Sequence, residues 1–222
     1  MKKIVITGGL GYIGTELCKI YSGYSWNDDI TVIDNRFISE RVNQLRNWNI
    51  NFIQGDILDK SLVKKYCAEA DVVHHLAGIT NVPRTKNEAS KSQDEKIKEV
   101  GERGTQNILD VISDNCKIIF PSTHVVYEGI NEVKTDIKED EVTKPILSYS
   151  SSKAINEDQL KKSKKNYVIL RLGSVYGYST DSMRIDIMPN LFSKIASQNG
   201  TLKLFAAGRQ IKSLVPLIDV AR

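Results

Sequence analysis

Apolar and polar positions along this chain fall into two kinds of segment that alternate. Short runs dense in β-branched residues recur at Lys3–Thr7 (KIVIT), Ile30–Asp34 (ITVID), Ile50–Gln54 (INFIQ), Asp71–His75 (DVVHH) and Lys117–Pro121 (KIIFP). Each reads as a strand. Longer amphipathic stretches lie between them. Gly14–Tyr21 and Ser39–Trp48 read as helices, and Asp59 predicts a cap for a helix running to about Tyr66. Ser90–Ser113 reads as one long helix, polar in its first half and apolar at Val100, Ile108, Leu109 and Ile112. The alternation continues through a helix at Tyr149–Lys162, a strand at Tyr167–Leu172 (YVILRL) and a helix near Met188–Gln198. The charged, turn-rich stretch Asn131–Pro145 reads as a loop over one edge. Strand–helix alternation of this kind predicts an α/β fold with a doubly wound parallel sheet.

The glycines after the first strand sharpen the picture. Gly8, Gly11 and Gly14 follow KIVIT and open the first helix. That is the setting of a dinucleotide-binding turn, with G-x-x-G-x-x-G spacing in place of G-x-G-x-x-G. The first glycine permits the tight turn, the second lets backbone approach a pyrophosphate, and the third lets helix pack on strand. Phosphates then meet a helix N-terminus, where unpaired N–H groups and the dipole favour negative charge. Asp34 ends the second strand, about 20 residues past Gly14, where a carboxylate takes adenosine-ribose hydroxyls and repels a 2′-phosphate. NAD is therefore favoured over NADP, although Arg36 nearby keeps NADP open.

Composition adds bounds. Hydrophobic residues make up 41% and charged residues 26% of the chain, ordinary for a globular protein. The net charge of +4 is mild and its lysines are dispersed, so neither a nucleic-acid nor a membrane surface is expected. Cys18, Cys67 and Cys116 are odd in number and far apart, as free thiols of a reducing compartment would be. No apolar run approaches the roughly 20 residues of a membrane span, and a cytoplasmic location is expected. His74 and His75 have no third metal ligand in sequence reach and read as strand-end residues; no metal site is expected.

Tyr149–Lys153 (YSSSK) places a phenol and an ammonium one helical turn apart. With the glycines, it resembles the short-chain dehydrogenase/reductase family, in the extended branch of NAD-dependent nucleotide-sugar epimerases and dehydratases. Other segments agree in order and spacing: GDI at Gly55–Ile57, HLAG at His75–Gly78, PSTHVVYEG at Pro121–Gly129, LRLGSVYG at Leu170–Gly177 and LFAAGRQIKSLVPLIDVAR at Leu204–Arg222. The resemblance implies a Rossmann fold and catalytic roles for Thr123, Tyr149 and Lys153. It places NAD against Gly8, Gly11, Tyr12, Ile13, Gly14, Asp34, Asn35, Asp56, Ile57, Leu76, Ala77, Gly78 and Lys153. It places a nucleotide-sugar substrate against His124, Ser174 and Lys212. A phenol with a pKa near 10 is a poor base at neutral pH. The Lys153 ammonium and the nicotinamide charge are expected to stabilise its phenolate, so that Tyr149 takes a sugar hydroxyl proton while hydride leaves the same carbon. Thr123 would hold that oxygen, and Lys153 would also hold the nicotinamide ribose. The resemblance further implies a homodimer formed as a four-helix bundle from Ser90–Ser113 and Tyr149–Lys162.

Departures from the family pattern carry information. The dehydratases' Asp–Glu pair is replaced by His124 and Val125, and Val125 cannot act as a base. Dehydration and decarboxylation are thereby disfavoured and epimerisation favoured. A ketoreductase making a deoxysugar is the alternative within the enzymes, and a non-catalytic dinucleotide-binding protein the alternative outside them. Ser174 and Gly101 stand where the family places asparagines, Lys212 where it places an arginine, and Glu128 breaks the usual V-Y-G. Residues 1–172 are expected to form the NAD-binding domain. Residues 173–222 read as the start of a small substrate lobe that relatives carry further, an apparently truncated one.

Overall fold

A computed structural model describes residues 1–24, 27–80, 90–179, 182–209 and 211–222, with the side chains of residues 205 and 206 left aside. Six parallel strands form one sheet: β1 (Lys3–Thr7), β2 (Asp29–Asp34), β3 (Asn51–Gln54), β4 (Val72–His75), β5 (Lys117–Thr123) and β6 (Asn166–Leu172). Their order is β3-β2-β1-β4-β5-β6. The chain builds outward from β1 to β3, then crosses back to lay β4 on the other side of β1. A crevice opens at the carboxyl ends of β1 and β4, where the direction of winding reverses.

The inner strands β1, β2, β4 and β5 are largely buried because helices cover both faces, whereas the edge strands β3 and β6 are only partly covered. Val5 of β1 joins a core layer with Val63, Val73, Ile108, Ile118, Phe120 and Leu160. Its neighbours Ile4 and Ile6 point the other way, into a layer with Leu17, Val32, Val42 and Leu45. This period-2 division explains why the strands read as continuous apolar runs rather than alternating ones. The covering helices are α1 (Tyr12–Tyr24), α2 (Ser39–Asn47), α3 (Lys60–Cys67), α4 (Lys91–Lys98), α5 (Gly104–Leu109) and α6 (Ser148–Lys162). Asp59 caps α3 as expected, accepting from the N–H groups of Ser61 and Leu62.

The long helix expected over Ser90–Ser113 is interrupted. A π-helical turn at Glu99–Arg103 separates α4 from α5, and α5 ends at Leu109. The cause lies on α6. A Cβ at Gly101 would stand 2.3 Å from the Ser152 hydroxyl oxygen, so the two helices touch where the first has no side chain. Asn156 donates to the Gly101 carbonyl at 3.1 Å and Gln159 to that of Glu102 at 3.0 Å. These bonds serve carbonyls of the π turn, a motif that places an extra residue in a helix. Gly101 thus admits Ser152, which accounts for one departure from the family pattern.

Beyond β6 the chain forms a second, two-stranded parallel sheet from β7 (Ser174–Tyr176) and β8 (Leu214–Pro216). Between them lies α7 (Met188–Ser197), and after them α8 (Leu217–Ala221), which packs on α1. Of the last motif, Gln210 lies outside the described residues.

The three cysteines are buried free thiols. Burial pushes Cys18 and Cys67 up to about 12 and Cys116 to about 11, so they are protonated at neutral pH. Among the described residues no helix is long and apolar enough to cross a membrane.

Candidate active site

The chain turns out of β1 through Gly8, whose φ of 71° is open to glycine and strained for other residues. Its N–H donates to the Ile33 carbonyl at 2.7 Å, and a Cβ there would lie 2.7 Å from the Ala77 nitrogen. Gly14 packs α1 on the loop: its Cβ would lie 2.6 Å from the Gly9 Cα. Gly9, not singled out from the sequence, is equally constrained, with Val32 at 2.6 Å. Gly11 differs. A Cβ there would approach the Gly8 oxygen at 3.1 Å and then only the Arg36 guanidinium at 4.0 Å. Gly78, across the crevice, would meet nothing within 4 Å. Bare backbone at Gly78 therefore faces open space, while Gly11 is crowded by its own loop at the Gly8 oxygen.

Ile13 lies half-buried on the first turn of α1. Tyr12 reaches out of that turn, donating its hydroxyl to the Gly177 carbonyl. Asn190 of α7 donates to the same Tyr12 oxygen at 3.3 Å and to the Arg184 carbonyl at 2.8 Å. The glycine loop is thereby joined to the segment beyond β6. Asp34 is buried at the end of β2 and is bonded by Leu10 and Arg36. Asn35 donates to Asp56 at 3.3 Å, and Asp56 accepts the Leu58 N–H at 2.9 Å. Ile57 is buried against Gly104. On β4, His75 bridges the Thr7 and Thr105 hydroxyls at 2.9 and 3.0 Å. Burial, with the Lys153 charge, holds it down to about 3, and burial alone brings His74 to about 4. Both are neutral structural histidines, as their strand-end positions implied. Leu76 and Ala77 bond back to Thr7 at 3.0 and 3.2 Å and carry the strand to Gly78.

β5 runs two residues further than expected, so Thr123 ends it opposite Leu172. Its hydroxyl accepts the Val125 N–H at 3.3 Å, which leaves the O–H to donate elsewhere. His124 donates or accepts through Nδ1 at 3.0 Å from the Leu172 carbonyl. A carbonyl oxygen only accepts, so that nitrogen carries the proton and Nε2 is the acceptor.

Tyr149 and Lys153 lie on the first turns of α6. Lys153 donates to the Pro121 carbonyl of β5 at 2.8 Å. Its Nζ stands 4.3 Å from the centroid of the Phe120 ring and 6.0 Å from that of Tyr149. Lys153 is thus tied to β5 two residues before Thr123, with the Tyr149 ring near its ammonium. Burial lowers Lys153 to about 8, with Glu157 pulling upward. Burial raises Tyr149, and the nearby cation opposing that rise is Arg184.

Sequence reading missed three groups around this site. Arg184 carries no local signal, because its segment is held by long-range bonds, the Tyr12–Asn190 link and its own donation to the Thr80 carbonyl at 3.0 Å. Glu157 sits one turn beyond Lys153, a spacing that was legible. It is buried and accepts from Ser122 at 2.5 Å and from Arg171 at 2.6 Å. Glu128 was visible only as an oddity. Its carboxylate accepts the N–H groups of Ile146 and Leu147, each at 2.7 Å, and the Ser150 hydroxyl. Glu128 does not accept from the first-turn N–H groups; it fastens the entry to α6, and its negative charge sits at the positive end of the helix. Ser174 lies at the start of β7, its N–H bonded to the Ser213 carbonyl at 2.8 Å; Lys212 is exposed before β8. These two are not drawn to Tyr149 by any contact among the described residues.

Residues 4–222 match the pattern of the NAD dependent epimerase/dehydratase family. The chain belongs to that family. It is 28% identical over 198 residues to a dTDP-D-glucose 4,6-dehydratase of Dictyostelium discoideum, covering 80% of this chain and 44% of the relative. It is 33% identical over 144 residues to a CDP-paratose 2-epimerase of Salmonella typhi, covering 60% and 40%. Among solved structures, a UDP-glucuronic acid 4-epimerase from Bacillus cereus, in complex with UDP-glucuronic acid and NAD, superposes with a TM-score of 0.79 at 26% identity. That match covers 98% of this chain and 70% of the epimerase. The chain spans about half the length, or less, of these curated relatives. Family members and structural neighbours bind NAD, and the neighbours bind nucleotide sugars.

The residues here fit that cofactor. The bare face of Gly78 and the side-chain-free turn at Gly11 leave a cradle that a Cβ would fill, at the N-terminus of α1 where an anion is favoured. Gly11→Val should therefore abolish NAD binding while the fold survives, since no backbone outside the loop blocks the new side chain. Calorimetric titration of NAD, with circular dichroism as the fold control, measures both.

Proposed function

We propose that this chain is the NAD-binding part of a nucleotide-sugar epimerase. The observation carrying the reading is Lys153 bonded to β5 two residues before Thr123, with the Tyr149 ring 6.0 Å from its Nζ, and Val125 where elimination would need a base. NAD would be held by the Gly8–Gly14 loop, Asp34, Asp56 and Leu76–Gly78, with Lys153 on its nicotinamide ribose. When bound, it supplies a hydride acceptor. Tyr149 takes the proton of the sugar hydroxyl at its phenol oxygen and later returns it. Thr123 donates a hydrogen bond to the reacting oxygen, and Lys153 and Arg184 favour the phenolate. His124, with Nε2 as an acceptor, and Ser174 and Lys212 would face the substrate. Residues 1–172 form the cofactor domain in this reading and 173–222 contribute to the substrate side.

The test is absorbance in the reduced-nicotinamide band, with UDP-glucose, dTDP-glucose and a CDP-sugar as probes. An epimerase inverts the sugar with no net change in the band after turnover. Net loss or gain would mark a reductase or dehydrogenase, and an unchanged band with no inverted sugar product from any probe would favour a binding protein.

The family reading also carries a dimer through α4, α5 and α6. Their exposed faces are charged, with ion pairs Lys91–Glu95 and Arg103–Glu99; Ile155 is the exposed large apolar side chain there among the described residues. A dimer built on such faces should weaken as salt rises. Sedimentation at low and high ionic strength measures this, and a monomer at both would count against the pairing.

A further inference from the structure

We propose that Glu128 is a positioning residue for Tyr149: one of its carboxylate oxygens sets the first turn of α6 against the end of β5 that carries Thr123. The inference rests on the epimerase reading above, in which Thr123 and Tyr149 hold the same substrate oxygen, and adds a residue to it. The donors that meet Glu128 converge on Oε1: the N–H groups of Ile146 and Leu147, each at 2.7 Å, and the Ser150 hydroxyl. Ser150 is 1% exposed, and its oxygen in turn accepts the Leu147 N–H at 3.2 Å. Tyr149 is thus bracketed by two residues, Leu147 and Ser150, that Glu128 holds.

Glu128 is itself fixed relative to Thr123. Between them lies a single short helical turn, His124–Tyr127, which opens with the Thr123 hydroxyl accepting the Val125 N–H at 3.3 Å. The far end of that turn is pinned to the segment leading into α6. Lys144 donates to the Val126 carbonyl and Gly129 to that of Lys144, each at 2.8 Å. The approach is close, since a Cβ at Gly129 would stand 2.6 Å from the Lys144 oxygen. Lys153 makes the matching tie on the other side of Thr123, through the Pro121 carbonyl at 2.8 Å. So α6 is held to β5 before Thr123 by Lys153 and after it by Glu128. The backbone at Glu128, with φ −61° and ψ −18°, is ordinary right-handed and does not require the glycine of the family pattern. A glycine there would offer no acceptor to Ile146, Leu147 and Ser150. Such a tie sets the distance between two groups that must meet one oxygen, and a displacement of about 1 Å in such a pair costs up to about 100-fold in rate.

Fluorine NMR of the chain grown with fluorotyrosine tests the tie with neither cofactor nor sugar. The Tyr149 signal is identified by its absence in Tyr149→Phe. In Glu128→Ala that signal should shift and broaden. The signal of Tyr21, which bonds His74 at 2.7 Å in the other core layer, should stay in place. Glu128→Gln keeps Oε1 as an amide carbonyl and should leave the Tyr149 signal where wild type has it. An unmoved Tyr149 signal in Glu128→Ala overturns the inference. So do Tyr149 and Tyr21 signals that move together, the mark of general loosening, and a Glu128→Gln variant that behaves like Glu128→Ala. Single-turnover hydride transfer should fall about 10- to 100-fold in Glu128→Ala with NAD affinity kept, and recover in Glu128→Gln. It should fall no further when Glu128→Ala is added to Tyr149→Phe, because residues that act as a unit are not additive. An equal fall in both backgrounds overturns the inference alone. Hydride transfer absent in wild type, or unchanged in Tyr149→Phe, overturns the epimerase reading instead, and the Tyr149 signal still decides what Glu128 holds.

Discussion

Tyr149→Phe is expected to lower turnover by about 100- to 10,000-fold, roughly 3–5 kcal/mol of barrier, with fold and NAD affinity preserved. Only the hydroxyl is lost, and among the described residues it holds no structural hydrogen bond, so the effect should fall on the chemical step. Single-turnover hydride transfer measures it. Thr123→Val should cost less, because it removes a hydrogen bond and not the proton carrier. Lys153→Met should lower both turnover and cofactor affinity, since the ammonium serves both. The pH dependence has a definite sign. Burial raises the Tyr149 phenol, and Arg184 opposes the rise. Arg184→Met should therefore move the basic phenol's kinetic pKa upward. If Tyr149→Phe kept wild-type rates and His124→Ala abolished them, the proton would travel through His124 Nε2 and the roles proposed here would be wrong.

Glu157→Ala should be the most destabilising single change around the site, by about 3–5 kcal/mol, the cost of breaking a buried ion pair by removing one partner. Glu157 is 2% exposed and Arg171 has a side chain 14% exposed, so the guanidinium left behind cannot simply turn to water. The Ser122 hydroxyl would lose its acceptor too. Against a total of about 5–15 kcal/mol for a domain, that is a large fraction. Glu157→Gln keeps the shape and one acceptor and should cost about 1.5–3 kcal/mol, the range for a bond to a charged group. Urea midpoints at constant slope measure both. Burial pushes the Glu157 carboxyl up, but the bonds from Arg171 and Ser122 outweigh it and hold it below the usual range. The wild-type stabilisation is thus fully present above the unfolded pKa near 4.3 and is lost as pH falls through the lower folded value. A wild-type and Glu157→Ala difference that failed to shrink in acid would contradict this account.

The network matters beyond stability. Glu157 holds Ser122, the residue before Thr123, and lies one turn past Lys153 on α6. Glu128 lies five residues after Thr123 and fastens the entry to the same helix. The strand end and the helix that carry the proposed chemistry are therefore fastened to each other at two points, one the buried Glu157 cluster, the other at the helix N-terminus. The family pattern offers Gly at position 128; this chain has a carboxylate there with three donors to satisfy it.

The sequence by itself determined the six strands of the sheet, their parallel winding and the place of the glycine loop between β1 and α1. Those features are local or periodic. A run such as KIVIT has only one way to bury both faces, and glycines between strand and helix state where backbone must come close. Asp59 likewise announced its own cap. What only the tertiary structure decided depends on residues far apart in the chain. The break at Glu99–Arg103 is made by Ser152 and Asn156 from another helix, so periodicity within 90–113 could not reveal it. The tie at the entry to α6 comes from Glu128, the partner of Asp34 from a side chain whose orientation no pattern fixes, and Arg184 is held near Tyr149 by bonds from Asn190 and to Thr80. A short-range pattern encodes where backbone can go, because hydrogen bonding and burial act on every residue alike. Which charged side chain meets which is set by long-range packing, and that is where the site acquires its electrostatics.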